Sequence, residues 1–279
     1  MIDVHTHAFP ERLMNAIYAW FRRDGWKIPY DGKQTEELFA EHRKQGMERF
    51  FVLLYAHKPG MARSLNDWLA DLATVHPEVV PIGCVHQDDD VSAETEYCLG
   101  ELGFAGMKLH CAVQRVSMDD PRLDPLYEKL IAFNKPLIVH AGTAPRDYTG
   151  TVGVRFFART MDRFPELRVQ VAHFGLYETE SFVRLAEQLP NVVFDTAAIT
   201  PETLNHWPGP MGWPPAEQWV EWIERLPGRV LFGSDIPFLN GQADVKAWVE
   251  GLPLSQQVKQ EILDTNARRF WNLTDPPRS

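Results

Sequence analysis

Residues 2–10, IDVHTHAFP, begin with the pattern of a β-strand and carry two histidines where that strand ends. Ile2 and Val4 are β-branched and apolar, which favours a buried strand. His5 and His7 occupy alternate positions, so their side chains point to the same side of an extended chain, about 6.6 Å apart along it. Two imidazoles with this spacing can bind one metal ion. The stretch therefore predicts a first strand whose carboxyl end carries a metal-binding pair.

The pattern of a short apolar run followed by an amphipathic stretch recurs along the chain. The apolar runs predict strands over 2–5, 49–56, 78–85, 103–110, 136–140, 168–173, 191–195 and 229–233. Their nearly continuous apolar character is typical of parallel strands that are buried on both faces. Helical spacing predicts helices over 34–45, from Ser64 onward, and over 125–133, 155–164, 180–189, 216–226 and 243–252. Eight such units predict an α/β fold, a (β/α)8 TIM barrel formed by one domain over residues 1–279.

Three segments fall outside the eight units. Residues 255–273 predict an extra C-terminal helix that packs outside the barrel. Residues 8–33 form a long aromatic excursion between the first strand and the first helix of the barrel, and residues 197–215 form a second long loop. Both leave the carboxyl end of a strand, which is the end at which barrels bind their substrates. These two segments are predicted to cover the site or, alternatively, to form the interface of a homodimer.

Composition bears on the location and the partners of the chain. The formal net charge of −10 leaves no broad cationic surface for nucleic acid, and no apolar run is long enough to span a membrane. Cys84, Cys98 and Cys111 match no zinc motif and no disulfide framework, which favours a reducing compartment. The first residues lack the features of a signal peptide. We therefore expect a cytoplasmic protein with a small-molecule substrate and no nucleic-acid or membrane partner.

Seven of the ten histidines lie at or near the end of a predicted strand. They are His5, His7, His57, His86, His110, His140 and His173. Because the carboxyl ends of barrel strands meet on one face, these rings should gather there. Asp235, in VLFGSDIPF after the eighth strand, adds a carboxylate that must be paired or bind a ligand. We expect His57 and His86 to be hydrogen-bonded residues without a ligand role.

A series of motifs resembles the amidohydrolase superfamily, and within it the amidohydrolase-related group of 2-pyrone-4,6-dicarboxylate lactonase-like and aminocarboxymuconate-semialdehyde decarboxylase-like enzymes. The motifs are DVHTH (3–7), GMKLH (106–110), DDPRLDPLYE (119–128), PLIVHAG (136–142), VAHFG (171–175), VFDTA (193–197), LFGSDIP (231–237) and NARRFW (266–271). The resemblance extends from residue 2 to about residue 273 and keeps the order of the motifs. It implies a metal-dependent enzyme and says little about the substrate.

The resemblance also implies roles for the residues at the strand ends. His5, His7, His140 and Asp235 match metal ligands, and Asp235 matches a proton carrier as well. His173 matches a catalytic histidine that lies near the substrate in one-metal members and binds the second ion in two-metal members. One divalent ion is expected here, and a set of imidazoles with one carboxylate favours Zn²⁺, with Mn²⁺, Fe²⁺ and Co²⁺ as alternatives.

Three further residues are predicted to bind the substrate. Period-two geometry places Lys108 and His110 on one face of the fourth strand. Lys108 lies where two-metal members carry a carboxylated lysine that bridges the ions, and this bridging role stays open. Arg146, in HAGTAPRDY (140–148), is a candidate partner for a substrate carboxylate. Cys111 stands where the family often has proline, and we expect a buried bystander thiol there, with metal ligation as the alternative.

Together these residues predict a metal-dependent hydrolase. A metal-bound hydroxide would attack the lactone, amide or ester carbonyl of a small substrate, with Asp235 as the general base and His173 polarising the carbonyl. The alternative is a decarboxylase or hydratase that acts on a small unsaturated or aromatic acid in the same site. A metal-dependent deoxyribonuclease on this barrel is disfavoured because its glutamate-containing motif is absent. A binding protein without activity is disfavoured because the ligand set is complete.

Overall fold

The computed structural model describes residues 1–143, 149–200, 214–238 and 242–274. Within these ranges an eight-stranded parallel sheet runs in the order of the chain. The strands are β1 (Ile2–Thr6), β2 (Arg49–Leu53), β3 (Val79–Cys84), β4 (Gly106–His110), β5 (Leu137–His140), β6 (Val169–Val171), β7 (Val192–Asp195) and β8 (Val230–Leu231). Backbone hydrogen bonds from Val4 N to Phe232 O (2.9 Å) and from Asp235 N to His5 O (2.8 Å) join the chain at and beyond β8 to β1. The predicted (β/α)8 barrel is thereby confirmed.

Helices connect the strands on the outside of the barrel. They are α1 (Glu11–Arg23), α2 (Thr35–Lys44), α3 (Ala62–Val75), α4 (Val91–Glu96), α5 (Cys111–Gln114), α6 (Asp124–Ala132), α7 (Val154–Arg163), α8 (Thr179–Ala186), α9 (Ala216–Arg225), α10 (Gln242–Gly251), α11 (Gln256–Gln260) and α12 (Asn266–Trp271). The short helices α4 and α5 have no counterpart among the predicted ones. The start of α4 is fixed by Asp90, whose carboxylate accepts a hydrogen bond from Ala93 N (3.0 Å).

Apolar side chains pack in two layers, one on each face of the sheet. In β2, Phe50 and Val52 belong to the outer layer between sheet and helices, whereas Phe51 and Leu53 belong to the inner layer. This alternation follows from the period-two geometry of a strand. The inner layer fills the barrel and consists of Ile2, Val4, Phe51, Leu53, Val80, Ile82, Ile138, Val193, Leu231, Ala267 and Trp271.

The prediction that the C-terminal helix packs outside the barrel is corrected by the position of Trp271. Trp271, in α12, lies against Phe51 with ring centroids 4.8 Å apart and closes the amino-terminal end of the barrel. Gly106 makes room for it, because a Cβ there would lie 2.8 Å from the indole ring. The indole Nε1 also donates to Gln170 Oε1 inside the barrel (3.0 Å). The C-terminal segment is therefore part of the barrel interior as well as of its outer shell.

The aromatic excursion after β1 packs over the carboxyl end of that strand. Helix α1 forms within it, and Tyr18 and Phe21 place their rings 6.4 and 5.0 Å from the ring of Phe238, beyond β8. Phe9 stacks on His7 at 6.2 Å. The segment thus packs over the end of the barrel where the histidines lie, which is one of its two predicted roles; the other, a homodimer interface, stays a prediction. Most of the second long loop, 201–213, lies outside the described residues.

The cysteines and the length of the helices bear on two expectations from composition. Cys84, Cys98 and Cys111 are buried, and none of the three forms a disulfide bond. Across the part of the chain that the structure describes, the helices lack the length and apolar character needed to cross a lipid bilayer.

Candidate metal centre and active site

The carboxyl ends of the strands bring together five of the histidines that the sequence singled out. Ring centroids lie 5.2 Å apart for His5 and His7, 4.7 Å for His5 and His173, 4.9 Å for His140 and His173, and 4.3 Å for His110 and His140. Asp235 reaches the same cluster from the segment after β8. Residues from five separate stretches of sequence therefore form one compact site.

The two histidines of β1 are oriented by hydrogen bonds at Nδ1. His5 Nδ1 lies 2.9 Å from Asp195 Oδ2, and His7 Nδ1 lies 2.9 Å from the carbonyl oxygen of Leu53. A carbonyl or carboxylate oxygen only accepts, so each Nδ1 carries the proton and donates it. In the neutral form of either ring, Nε2 is then the nitrogen without a proton, and it can serve as a metal ligand.

Both free nitrogens point at the carboxylate of Asp235. Asp235 Oδ1 lies 3.2 Å from His7 Nε2 and 3.5 Å from His5 Nε2. When both rings are neutral, these three atoms are all acceptors, an arrangement that a shared cation stabilises. Two ligands bound at 2.0–2.1 Å to a tetrahedral ion would lie about 3.3 Å apart, close to these separations. Burial raises the pKa of the Asp235 carboxyl. A hydrogen bond from His7 and the positive charges of His173, His5 and His7 in their protonated forms outweigh burial, so the net shift of this pKa is downward, towards the ionised form that a metal requires.

His173 joins this set through an unusual turn. Immediately after β6 the chain takes up left-handed backbone angles at His173 (φ 57°), Phe174 and Gly175. His173 Nδ1 bonds the carbonyl oxygen of Ala197 at 3.0 Å, which again leaves Nε2 free. One ligand atom each from His5, His173 and Asp235 lie within 4.8 Å of one another. His173, predicted as a catalytic residue, is thus also within reach of a metal held by the other two.

His140, the predicted ligand on β5, is a buried imidazole with no hydrogen-bond partner on either ring nitrogen among the described residues. An unpaired polar atom in such a place is costly, and coordination of a metal or a ligand would remove the cost. Burial lowers the pKa of His140 well below its ordinary value, and the neighbouring His110, His173 and Lys108 lower it further. The ring is therefore neutral, as a metal ligand must be.

Lys108 places an ammonium group within the same site. It lies on β4 and is 1% exposed. Burial lowers the pKa of Lys108 to about 8, although the charges of Asp195 and Asp235 act in the opposite direction. Both carboxylates act on the ammonium through their charge. A buried cation in this position favours an anionic ligand.

Of the other residues that the sequence analysis named, some lie near the site and some lie away from it. His110 ends β4, accepts a long hydrogen bond from Val113 N at Nδ1 (3.5 Å) and stacks on His140. His86 accepts a hydrogen bond from Asp88 N (3.2 Å), and His57 is exposed. Arg146 lies outside the described residues, and its substrate-binding role stays a prediction.

An aromatic wall, composed of Phe9, Tyr55 and Phe238, surrounds the ring of His7. The ring centroid of His7 lies 6.2 Å from Phe9, 5.6 Å from Tyr55 and 5.3 Å from Phe238. Tyr55, which follows β2, also contacts His110 at 5.2 Å. These side chains shield one side of the candidate metal centre from water.

Sequence reasoning gave no role to two polar residues that the structure places inside the barrel. Asp195, the last residue of β7, holds His5, and Gln170, in the middle of β6, holds Asp195 at 2.7 Å. The signal for Asp195 is the same as for Asp235, a carboxylate directly after a buried apolar run. The signal for Gln170 is a long amide within the apolar run VQV (169–171), where a buried polar group needs partners.

Comparison with known proteins identifies the family of the chain. The model of a family described as amidohydrolase matches residues 2–273. The chain is 23% identical to 2-amino-3-carboxymuconate-6-semialdehyde decarboxylase of Dictyostelium discoideum, covering 99% of this chain and 92% of that protein. It is 24% identical to 2-keto-4-carboxy-3-hexenedioate hydratase of a Sphingobium species, covering 77% of this chain and 72% of that protein.

Among solved structures, a similar fold occurs in 5-carboxyvanillate decarboxylase of Novosphingobium aromaticivorans, crystallised with manganese and a substituted nitrobenzoic acid. The TM-score is 0.66 at 19% identity, with 98% of this chain and 96% of that chain covered. This likeness concerns the fold. The family match, in contrast, spans nearly the whole sequence, and the chain therefore belongs to the amidohydrolase family.

Proposed function

We propose that the protein is a divalent-metal-dependent decarboxylase of a small unsaturated or aromatic acid. The observation that carries the proposal is the similarity to a decarboxylase over 99% of this chain. Hydrolysis of a lactone, amide or ester, the first interpretation of the sequence, has less support, because the similar proteins named above are decarboxylases and a hydratase.

The metal would be held by His5, His7, His140 and Asp235, with His173 within reach. The Nδ1 hydrogen bonds of His5 and His7, which leave Nε2 as the ligand atom of each neutral ring, and the unpartnered ring of His140 support this assignment. When bound, a divalent cation supplies a Lewis acid that attracts substrate oxygens and stabilises developing negative charge. The donor set favours Zn²⁺, and Mn²⁺ is the alternative that the manganese-bound decarboxylase supports.

The side chains around this centre are suited to an acid with a flat carbon skeleton. Lys108 offers a buried ammonium to a carboxylate. The aromatic wall offers apolar faces against which an unsaturated or aromatic skeleton can stack. Closure of the site by these rings would also exclude water, which strengthens the electrostatic interactions inside it.

Loss of carbon dioxide leaves an electron pair on a carbon atom, and that carbon must receive a proton. We assign the proton transfer to Asp235 and His173, the carboxylate and imidazole that lie within 4.8 Å of each other and of His5. Such a positioned acid or base contributes about 10²- to 10⁴-fold to a rate. Their joint position at the centre supports the assignment.

The first prediction concerns the metal and the product. Purified protein should release CO₂ from members of a panel of small unsaturated and aromatic carboxylic acids. A chelator should remove this activity, and Mn²⁺ or Zn²⁺ should restore it. Evolved CO₂ and consumed acid are measured together, and a protein treated with chelator already saturated with Ca²⁺ is the control. Turnover of lactones or amides without CO₂ release from any acid would contradict the proposal.

A hydratase is the second candidate, because the chain is 24% identical to a relative that is a hydratase. Hydration of a conjugated acid removes its ultraviolet absorbance and releases no CO₂. The same panel therefore separates the two reactions: absorbance loss with mass gain of one water, and no CO₂, would favour the hydratase.

The second prediction concerns the stability of metal-free protein in acid. Burial is the main cause that lowers the pKa of His5, His140 and His173. Below pH 6.5 the histidines become protonated in the unfolded chain, whereas these three rings stay neutral in the folded state. The free energy of unfolding should therefore fall between pH 7 and pH 5. The decrease is about 1.4 kcal/mol per pH unit for each ring that stays neutral. Above pH 7 the rings are neutral in both states and contribute no pH dependence.

Denaturant unfolding of chelator-treated protein at pH 7, 6 and 5 measures this decrease. The His140→Asn variant lacks one of the buried rings, so its stability should fall less steeply than that of the wild type. If the free energy of unfolding fell equally steeply with pH in the two proteins, His140 would protonate as readily in the folded state as in the unfolded chain.

A further inference from the structure

A chain of buried side chains connects the closed end of the barrel with the candidate metal centre. Trp271 Nε1 donates to Gln170 Oε1 (3.0 Å), Gln170 Nε2 donates to Asp195 Oδ2 (2.7 Å), and His5 Nδ1 donates to the same oxygen (2.9 Å). Trp271 is 5% exposed, His5 is 1% exposed, and Gln170 and Asp195 are fully buried. Three hydrogen bonds thus join a tryptophan of the last helix to a histidine of the first strand.

Each link in this chain has a fixed direction. An indole N–H only donates, so the side-chain oxygen of Gln170 must face Trp271 and its NH₂ must face Asp195. A longer contact from Gln170 Nε2 to Val4 O (3.4 Å) is consistent with that orientation. The amide cannot rotate by 180° without placing two donors against each other at Trp271 and two acceptors at Asp195. Trp271 therefore determines which atom of Gln170 meets the carboxylate.

Asp195 is the point at which several parts of the site are joined. Besides the bonds at Oδ2, its Oδ1 accepts from His173 N (2.8 Å) and from Ala197 N (3.2 Å). Four donors surround this carboxylate, so it is held in one position and acts only as an acceptor. It fixes the ring of His5 with Nε2 towards Asp235, and it holds the backbone of His173 in its left-handed turn.

We propose that Trp271, Gln170 and Asp195 are positioning residues that set the metal affinity of the site through His5. The proposal rests on the metal centre proposed above and extends it to residues that do not touch the metal. A carboxylate that accepts from a ligating imidazole fixes its tautomer and increases its basicity, and loss of such a partner typically costs about 10- to 100-fold in metal affinity. The C-terminal helix would thus contribute to metal binding from the opposite end of the barrel.

Titration of chelator-treated full-length protein with Mn²⁺ tests the proposal, with free Mn²⁺ followed by electron paramagnetic resonance. Asp195→Asn should weaken binding by about 10- to 100-fold. Gln170→Met and Trp271→Phe, which keep much of the side-chain volume and remove the hydrogen bonds, should weaken it by successively smaller factors. The control is Trp222→Phe, which also removes an indole hydrogen bond, to Glu180 Oε2 (2.6 Å), but lies away from the site. It should bind Mn²⁺ like the wild type.

A double variant distinguishes positioning from general loosening of the barrel. If Gln170 acts through Asp195, Asp195→Asn combined with Gln170→Met should bind Mn²⁺ no more weakly than Asp195→Asn alone. Additive losses, or wild-type affinity in Asp195→Asn or Trp271→Phe, would overturn the proposal while leaving the metal centre intact. A wild-type protein that binds neither Mn²⁺ nor Zn²⁺ would overturn the metal centre and this proposal together. Metal binding without any decarboxylase activity would contradict only the proposed reaction.

Discussion

The Asp235→Asn variant should lose about 10²- to 10⁴-fold of kcat/KM while keeping its fold. The amide has nearly the shape of the carboxylate, so packing is preserved, but it has neither the negative charge that a divalent metal needs nor the ability to carry a proton as a carboxylate does. Asp235 Oδ1 is also the atom on which the free nitrogens of His5 and His7 converge. One substitution therefore affects both metal binding and proton transfer. Steady-state kinetics and bound-metal content measure the two effects separately.

Asp88→Asn is the matched control for this variant. Asp88 also follows a barrel strand, β3, but it is exposed and pairs with Arg122 on the surface. Surface ion pairs of this kind contribute little to stability, so the control should retain wild-type kinetics and metal content. An Asp235→Asn protein with undiminished activity and a full complement of metal would mean that Asp235 neither binds the metal nor transfers a proton.

The predictable part of the fold is the part that depends on local pattern. The apolar runs located all eight strands because parallel strands of a barrel are buried on both faces and leave little room for polar residues. The strand ends were less accurate: β6 was predicted to extend to His173 and ends at Val171. Beyond it the backbone enters left-handed angles, which no period of apolar residues encodes.

The same distinction applies to the candidate site. A histidine or aspartate at the end of a strand can be placed on the catalytic face from topology alone. The selection of His5, His7, His140 and Asp235 as metal ligands came from the resemblance to the family. The positive φ angles of His173 (57°) and Asp235 (67°) depend on tertiary hydrogen bonds, such as those that His173 N donates to Asp195 Oδ1 and Asp235 N donates to His5 O. The position of Trp271 inside the barrel likewise depends on the small volume at Gly106, 165 residues earlier in the chain.

The second large effect is expected from Gly142→Ala, a substitution that touches no functional side chain. Gly142 follows His140 by two residues, and Gly175 follows His173 by two. A Cβ at Gly142 would overlap the backbone of Gly175, so the loops after β5 and β6 would have to separate. Overpacking of this kind costs about 1–3 kcal/mol of stability, and a displacement of catalytic groups by about 1 Å can cost about 10²-fold in rate. Thermal unfolding and kcat/KM measure the two consequences.

Gly251→Ala is the control, because Gly251 ends α10 and a Cβ there would meet no atom within 4 Å. Alanine favours a helix more than glycine does, so the control should be as stable as the wild type or slightly more stable. If Gly142→Ala matched it in both stability and rate, contact between the two loops would not be what sets the distance between His140 and His173. If the variant instead lost activity with little loss of stability, the 4.9 Å separation of these rings would be the property that the two glycines preserve.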